Sequence, residues 1–326
     1  MKHIKRTQKI IRSLIADDIR TNKNFRSLIP GILPMTSVVT YSLNSGKRLR
    51  PIIINAMIEG CGDRLLTEHS LQASRDFMLF IEYVHNASLI VDDLPCMDND
   101  DERRGNPTVH IKYGEHMSQM VSYNLMITAL KHFSDGFRAI QMSRMYTDRD
   151  CQWLYDNLNN EISENLGYQG ICGGQLLDLL ICKDADVRGK TPREQRDLIM
   201  KIIKLKTGCL FSLSFTLGWV ARGGDVEAVV DIKEAGYLFG ICYQIIDDLR
   251  DVDKDMEKNA GFNNICKYYT WNEIITLFMD TMAEFSRIMS EHQAWSPCLI
   301  ELYTYMLNLF KKSATNLRRV RTLAEK

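Results

Sequence analysis

Apolar residues recur along this chain at the spacing of helices and hardly anywhere at that of strands. Ile11, Leu14, Ile15 and Ile19 share one stripe, and so do Leu198, Ile199, Ile202 and Ile203 with nearby Leu205. This i, i+3, i+4 recurrence is that of an amphipathic helix with one buried face. Thr191-Pro192-Arg193-Glu194 has the form of a capping box with proline at the first helical position, which predicts a helix start there. The polar run Lys183 to Arg188 before it reads as a surface loop. Further breaks fall at Pro30-Gly31, at Gly60-Cys61-Gly62, around Pro95 to Pro107, at Gly223-Gly224 and over Lys258 to Asn264. With seven prolines, no repeat and no low-complexity linker, the pattern predicts an all-α chain of about ten helices.

Composition changes that picture little. The chain has 326 residues, 45% hydrophobic and 25% charged, ordinary for a globular protein with a sizeable core and long enough for two domains. Lys plus Arg and Asp plus Glu both total 41. Zero net charge gives no bulk attraction for nucleic acid, so any basic site must be local. The nine cysteines never form CxxC, and most lie in apolar stretches, which fits small core residues in a reducing compartment better than disulfides or a zinc site. Met1 to Arg12 is basic but lacks the apolar core of a signal peptide, and Asp17 and Asp18 argue against an organelle presequence. A cytoplasmic location is expected. Gly208 to Ala221, the longest oily stretch, is too short to span a bilayer and carries Ser212, Ser214 and Thr216. It reads as a buried core helix, and no transmembrane segment is expected.

Two acidic clusters change the picture a great deal. Asp92-Asp93-Leu94-Pro95-Cys96-Met97-Asp98 follows the apolar run Phe77 to Val91, and Asp247-Asp248-Leu249-Arg250-Asp251 follows Tyr237 to Ile246. Paired carboxylates at the end of an oily helix repel and lose hydration unless something binds them. Mg2+ answers that need, because it prefers oxygen ligands and takes a few carboxylates plus substrate phosphates. Asp247 and Asp251 are four apart and share a helix face. Asp92 and Asp98 are six apart and would diverge on a regular helix, but Pro95 removes an N–H and disfavours further helix, so the chain can turn Asp98 back beside Asp92. Cations accompany the carboxylates: Gly46-Lys47-Arg48-Leu49-Arg50-Pro51 and Arg103-Arg104, with guanidinium forks suited to phosphate oxygens. Lys206-Thr207-Gly208 is not part of a P-loop, which argues against a nucleoside-triphosphate site. Metal-bridged binding of a diphosphate is the implied chemistry, and if both clusters serve one site, residues 46 to 267 converge in one domain.

At this point the chain resembles a family, the trans-isoprenyl diphosphate synthases, in their short-chain branch making geranylgeranyl or farnesyl diphosphate. The resemblance rests on GKRLRP at 46–51, EYVHNASLIVDDLPCMDNDDERRGNPT at 82–108, GGQLLD at 173–178, KTG at 206–208 and YQIIDDLRD at 243–251. It implies the isoprenoid synthase fold, a single domain over 1–326 with helices around a central cavity, working as a homodimer. It implies that Asp92, Asp98, Asp247 and Asp251 hold Mg2+, three ions per active site, with Asp93 and Asp248 in support. Arg103, Lys206, Gln244 and Lys258 would contact the allylic diphosphate, with Thr207 and Lys267 also substrate-binding. Lys47, Arg50, His85 and Arg104 would hold isopentenyl diphosphate. His85 alone reads as a core histidine; its place seven residues before Asp92 is what matches the family. The other histidines, among them His132, take no role.

The reaction so implied is electrophilic alkylation: the allylic C–O bond ionises, the isopentenyl double bond attacks, and the departing pyrophosphate is the base for the final proton. The growing chain needs a dry apolar tunnel. Ala87 and Ser88, one turn above Asp92, are small, and a floor is expected deeper, near Tyr123, Met126 or Phe133, so a twenty-carbon product is favoured over fifteen. Farnesyl diphosphate synthase and a non-catalytic subunit of a heteromer are the alternatives, although a silent subunit tolerates loss of the acidic and arginine motifs that are intact here. Departures from the family occur at Lys258 to Asn264, at Tyr268-Tyr269-Thr270 and at Met120 to Asn124.

Overall fold

The computed structural model describes residues 1–28, 35–60, 66–183, 190–257 and 264–324. The expected breaks at Pro30-Gly31 and Cys61-Gly62, and most of those at Lys183 to Arg188 and Lys258 to Asn264, lie outside them. Among the described residues the chain is helical apart from one small hairpin. In order come α1 (Lys2–Thr21), α2 (Met35–Ser42), α3 (Leu49–Glu59), α4 (Glu68–Asp92), β1 (Glu102–Arg103), β2 (Asn106–Pro107), α5 (Val109–Tyr113), α6 (Glu115–Ser143), α7 (Asp148–Leu166), α8 (Ile171–Lys183), α9 (Pro192–Ile202), α10 (Cys209–Ala221), α11 (Val229–Glu257), α12 (Trp271–Glu291) and α13 (Pro297–Ala324).

Local chemistry accounts for these elements. α1 buries Ile11, Ile15 and Ile19 and leaves Leu14 at the margin. At α9, the Thr191 side chain accepts from the Glu194 amide while the Thr191 N–H donates to the Glu194 carboxylate at 2.9 Å. Thr270 and Glu273 build the same box at the start of α12, a signal legible in the sequence but not used. α10 is buried almost throughout, and its hydroxyls turn back on their own helix, Ser214 donating to the Leu210 carbonyl and Thr216 to that of Ser212. No helix among the described residues is long and apolar enough to cross a membrane.

The chain forms two compact units, residues 2–155 with 217–224, and residues 156–216 with 225–326 and Met1. In the first, α4 lies along α6, and Phe77, Phe80, Phe133 and Phe137 pack with ring centroids 5.7 to 6.5 Å apart. The same unit encloses an ionic clasp. His132 of α6 places Nε2 3.3 Å from Asp18 of α1 and Nδ1 3.0 Å from Asp76 of α4, and the Tyr83 hydroxyl donates to Asp18 at 2.6 Å. In the second unit, α11 packs on α12 and on a turn at 203–208, with Phe215, Phe239 and Phe285 in mutual contact at 5.3 to 5.5 Å.

Candidate active site

The first acidic cluster forms where α4 runs out. Asp92 is its last residue and Asp93 its C-cap. A turn through Leu94, Pro95, Cys96 and Met97 then brings the chain round, so that the Asp98 amide donates to the Asp92 carbonyl at 2.9 Å. The side chains divide: Asp92 is half-buried and Asp98 exposed, whereas Asp93 is only 3% exposed. Asp93 is occupied by Arg103, whose Nε lies 2.7 and 2.9 Å from the two carboxylate oxygens and whose Nη2 lies 2.5 Å from Oδ1. Burial pushes the Asp93 carboxyl up from its ordinary value, and Arg103 supplies the opposing pull. The hairpin β1–β2 delivers Arg103 to it. Its two linking residues, Arg104 and Gly105, have φ of 56° and 78°, as a primed two-residue turn requires.

Beside the hairpin lies the basic loop. Arg50 Nη1 stands 3.1 Å from His85 Nε2. A guanidinium only donates, so Nε2 accepts and the ring proton sits on Nδ1. Burial first, then the charges of Arg50, Arg104 and Arg103, hold His85 well below its ordinary value, which keeps it neutral. Arg104 Nη1 donates to the Ser45 carbonyl at 2.8 Å and covers Gly46, where a Cβ would come within 2.8 Å of that nitrogen. Arg50, His85 and Arg104 therefore gather at the loop that carries the exposed Lys47. The remaining cation of that loop, Arg48, turns inward to Glu82, a pairing that sequence reasoning missed. A cleft of about 60 Å³ borders the hairpin, lined by Asn86, Asp93, Arg103 and Arg104 among others.

On α4 above the first cluster, Ala87 is buried and the Ser88 hydroxyl donates to the His85 carbonyl at 2.9 Å. Of the side chains expected to floor a tunnel, Phe133 is buried and Met126 half-buried. Tyr123 is 63% exposed and walls no interior space within this chain. Its place on the outer face of α6 explains why its size alone misled. The Met120 to Asn124 departure does bear on packing, since the Asn124 amide donates to the Asn24 carbonyl at 2.8 Å.

The second acidic cluster lies on α11, around a cleft of about 190 Å³ lined by Asp178, Lys206, Thr207, Gln244, Asp247, Asp248 and Asp251, with Ile202 and Ile203. Lys206 and Thr207 come from a π-helical turn, Ile203–Gly208, whose extra residue per turn redirects side chains that a regular helix would leave elsewhere. α8 meets this turn closely: a Cβ on Gly174 would stand 2.5 Å from the Lys206 main-chain nitrogen. Asp178, one turn further along α8, pairs with the Lys206 ammonium. A relay then runs from Thr207, which donates to Gln244 at 2.7 Å, to Gln244, which donates to Asp248 at 2.7 Å. The other Asp248 oxygen accepts the Ile265 amide at 2.9 Å, and its main-chain oxygen accepts from Asn264 at 2.8 Å. Asp248 is 5% exposed, Asp247 half-buried and Asp251 exposed. Lys267, in the short turn Ile265–Lys267, is exposed, and Lys258 lies outside the described residues. Sequence reasoning gave Asp178 no role. Its signal was the aspartate closing GGQLLD, four residues after the glycine that admits the π turn.

The donor set suits Mg2+. The acidic groups are all carboxylate oxygens, with no cysteine or histidine among those lining the second cleft. Among the described residues no three such side chains come together as a ready metal cage.

The chain is similar to known proteins over most of its length. The family described as polyprenyl synthetase matches residues 34–284. The chain belongs to the polyprenyl synthetase family. Within it, geranylgeranyl pyrophosphate synthase 12, chloroplastic, of Arabidopsis thaliana is 32% identical over 254 residues, 75% of this chain and 64% of that relative. The chain thus spans less than two thirds of that relative's length. Among solved structures, an FPP/GFPP synthase from Zymomonas mobilis superposes with a TM-score of 0.70 at 23% identity, covering 93% of this chain and 98% of that one. A geranyltransferase from Helicobacter pylori, complexed with magnesium and isoprenyl diphosphate, gives 0.62 at 25% identity over 93% and 97%. The fold is the isoprenoid synthase fold expected for this polyprenyl synthetase family member.

Proposed function

We propose that this protein is a Mg2+-dependent trans-prenyltransferase that joins isopentenyl diphosphate to an allylic diphosphate, with geranylgeranyl diphosphate as product and pyrophosphate released. The observation that carries this is the cleft in which Lys206, Thr207 and Gln244 meet Asp247, Asp248 and Asp251, in a chain of this family. Asp92, Asp98, Asp247 and Asp251 would hold the metal, three ions in all. When bound, Mg2+ supplies positive charge that stabilises the diphosphate as its allylic C–O bond breaks. Lys206, steered by Asp178, would present an ammonium to the leaving group, and Arg103 would add a second cation. Thr207, Gln244, Lys258 and Lys267 complete the binding set. Lys47, Arg50 and Arg104 would bind isopentenyl diphosphate, with neutral His85 keeping its proton on Nδ1 to donate. The whole chain, 1–326, would act as one such domain, as a cytoplasmic homodimer.

The test is direct. Incubation with isopentenyl diphosphate, each of dimethylallyl, geranyl and farnesyl diphosphate, and Mg2+, followed by dephosphorylation and chromatography, should yield geranylgeraniol. A product that stops at fifteen carbons with every starter overturns the product length, and no elongation with any starter overturns the reaction.

A further inference from the structure

The basic loop entering α3 contains a cation to which the proposed reaction gives no task. Arg48 has φ 59° and ψ 34°, a left-handed conformation that a side-chain-bearing residue keeps only when its surroundings hold it. What holds it is visible. Its side chain is 3% exposed and that of Glu82 4%. One terminal nitrogen pairs with Glu82 Oε1 and the other donates to the Leu43 carbonyl. Glu82 stands on α4 one turn before His85, and Arg50 follows Arg48 by two residues. α4 and the start of α3 are therefore joined twice, by the Arg48–Glu82 ion pair and by the Arg50–His85 contact at 3.1 Å. The residues before Arg48 are held as well. Gln8 of α1 donates to the Lys47 carbonyl at 2.9 Å, and Arg104 covers Gly46.

A buried ion pair is a poor device for stability, since apolar side chains of similar volume commonly do as well or better. Its particular property is direction: a guanidinium bonded at once to a carboxylate and a carbonyl fixes the backbone that carries it. We propose that Arg48 and Glu82 are the positioning pair of the isopentenyl diphosphate half-site. By holding the left-handed turn, they set the Lys47 side chain outward and Arg50 against His85, and neither touches substrate. This rests on the assignment of Lys47, Arg50, His85 and Arg104 to isopentenyl diphosphate.

The experiment compares the full chain with R48M/E82L, which replaces the pair by apolar groups of similar length, and with E82Q. Folding is checked by circular dichroism and thermal melting, and each substrate is varied in the presence of Mg2+. In R48M/E82L the KM for isopentenyl diphosphate should rise about ten- to a hundredfold, with kcat and the allylic KM within about twofold of wild type. A pair that only stabilised the fold would lower the melting temperature and the active fraction and leave both KM values alone. A folded R48M/E82L with the wild-type KM for isopentenyl diphosphate overturns the proposal. If that variant does not fold, an unchanged ratio of the two KM values in E82Q overturns it instead. Should wild type transfer no prenyl group, the proposed reaction fails on its own account. Calorimetric titration of isopentenyl diphosphate then decides: weaker binding by the variant supports the positioning role, while equal affinity, or none in wild type, refutes it.

Discussion

The two acidic clusters look alike as strings of letters and are built in different ways. The first hangs off the end of α4, where a proline turn folds it back and a hairpin brings an arginine to its middle carboxylate. The second lies along α11 and is braced from outside by a π-helical turn and by the backbone at Ile265. In each, the second aspartate of the Asp-Asp pair is the buried one, Asp93 at 3% and Asp248 at 5% exposure, and each is engaged by protein groups. Their neighbours Asp92, Asp98, Asp247 and Asp251 remain more open. Both clusters therefore divide in the same way, into more open carboxylates and a buried one engaged by protein groups.

The division is most sharply tested on the outward pair. Asp92→Ala and Asp247→Ala should each reduce turnover by a thousandfold or more, on the order of several kcal/mol of transition-state stabilisation, with little change in melting temperature. Chelation of Mg2+ should abolish turnover altogether. Near-normal rates in either folded variant would break the metal assignment for that cluster.

Next in size are the cations. Lys47→Ala and Arg104→Ala should raise the KM for isopentenyl diphosphate about tenfold or more while changing that for the allylic substrate less. Arg103→Ala should do the reverse and also lower stability, because it strands Asp93. Separate titration of the substrates checks this, and equal effects on both would erase the distinction between the two arginines.

A third test separates α4 from α11, since only α4 is expected to line the tunnel. Ala87→Phe should shorten the product from twenty carbons to fifteen, at a cost of about 1–3 kcal/mol for overfilling a buried position. Chromatography of the dephosphorylated product and a melting curve read both effects. An unchanged product length in a folded variant would remove Ala87 from the tunnel wall.

Smaller effects should come from the inward pair. Asp93→Asn should cost about 2 kcal/mol of stability, less than the ~3–5 of a fully buried broken pair, because Arg103 keeps 31% of its side chain exposed. Asp248→Asn places an amide where the Ile265 N–H and Gln244 both donate, which should cost about 1–3 kcal/mol. Denaturant unfolding measures these losses, and a variant that loses activity at full stability would place that aspartate with the metal ligands instead.

A last test separates the two units by pH. Burial acts to lower the His132 pKa, but the adjacent Asp18 and Asp76 carboxylates outweigh it and raise the group from 6.5 to about 9. A folded-state value above the unfolded one contributes stability that is complete below pH 6.5 and is lost as pH rises through about 9. Amide protection in α1, taken relative to the base-catalysed intrinsic exchange rate, should therefore fall between those values while that of α11 holds. An equal fall of protection in both would show that the clasp is not responsible.

Much of this was legible beforehand. Thr191 with Glu194 marked the start of α9, the Ile11, Ile15 and Ile19 stripe marked the buried face of α1, and Pro95 marked the turn that returns Asp98 to Asp92. All three are local effects, set by residues within a turn or two of each other. Arg48, Glu82, Asp178 and the His132 clasp were not legible, because each is defined by a partner 28 or more residues away. Composition cannot tell an inward arginine from the outward lysine beside it.

By itself, then, the sequence determined helix periodicity, caps, the two acidic motifs and the family to which they belong, because these depend on residue identity at short spacing. Tertiary structure decided which carboxylates and cations are buried against protein partners and which stay more open. That choice depends on burial: in a low-dielectric interior a charge must find a partner, and only the packed fold fixes which charges lie inside.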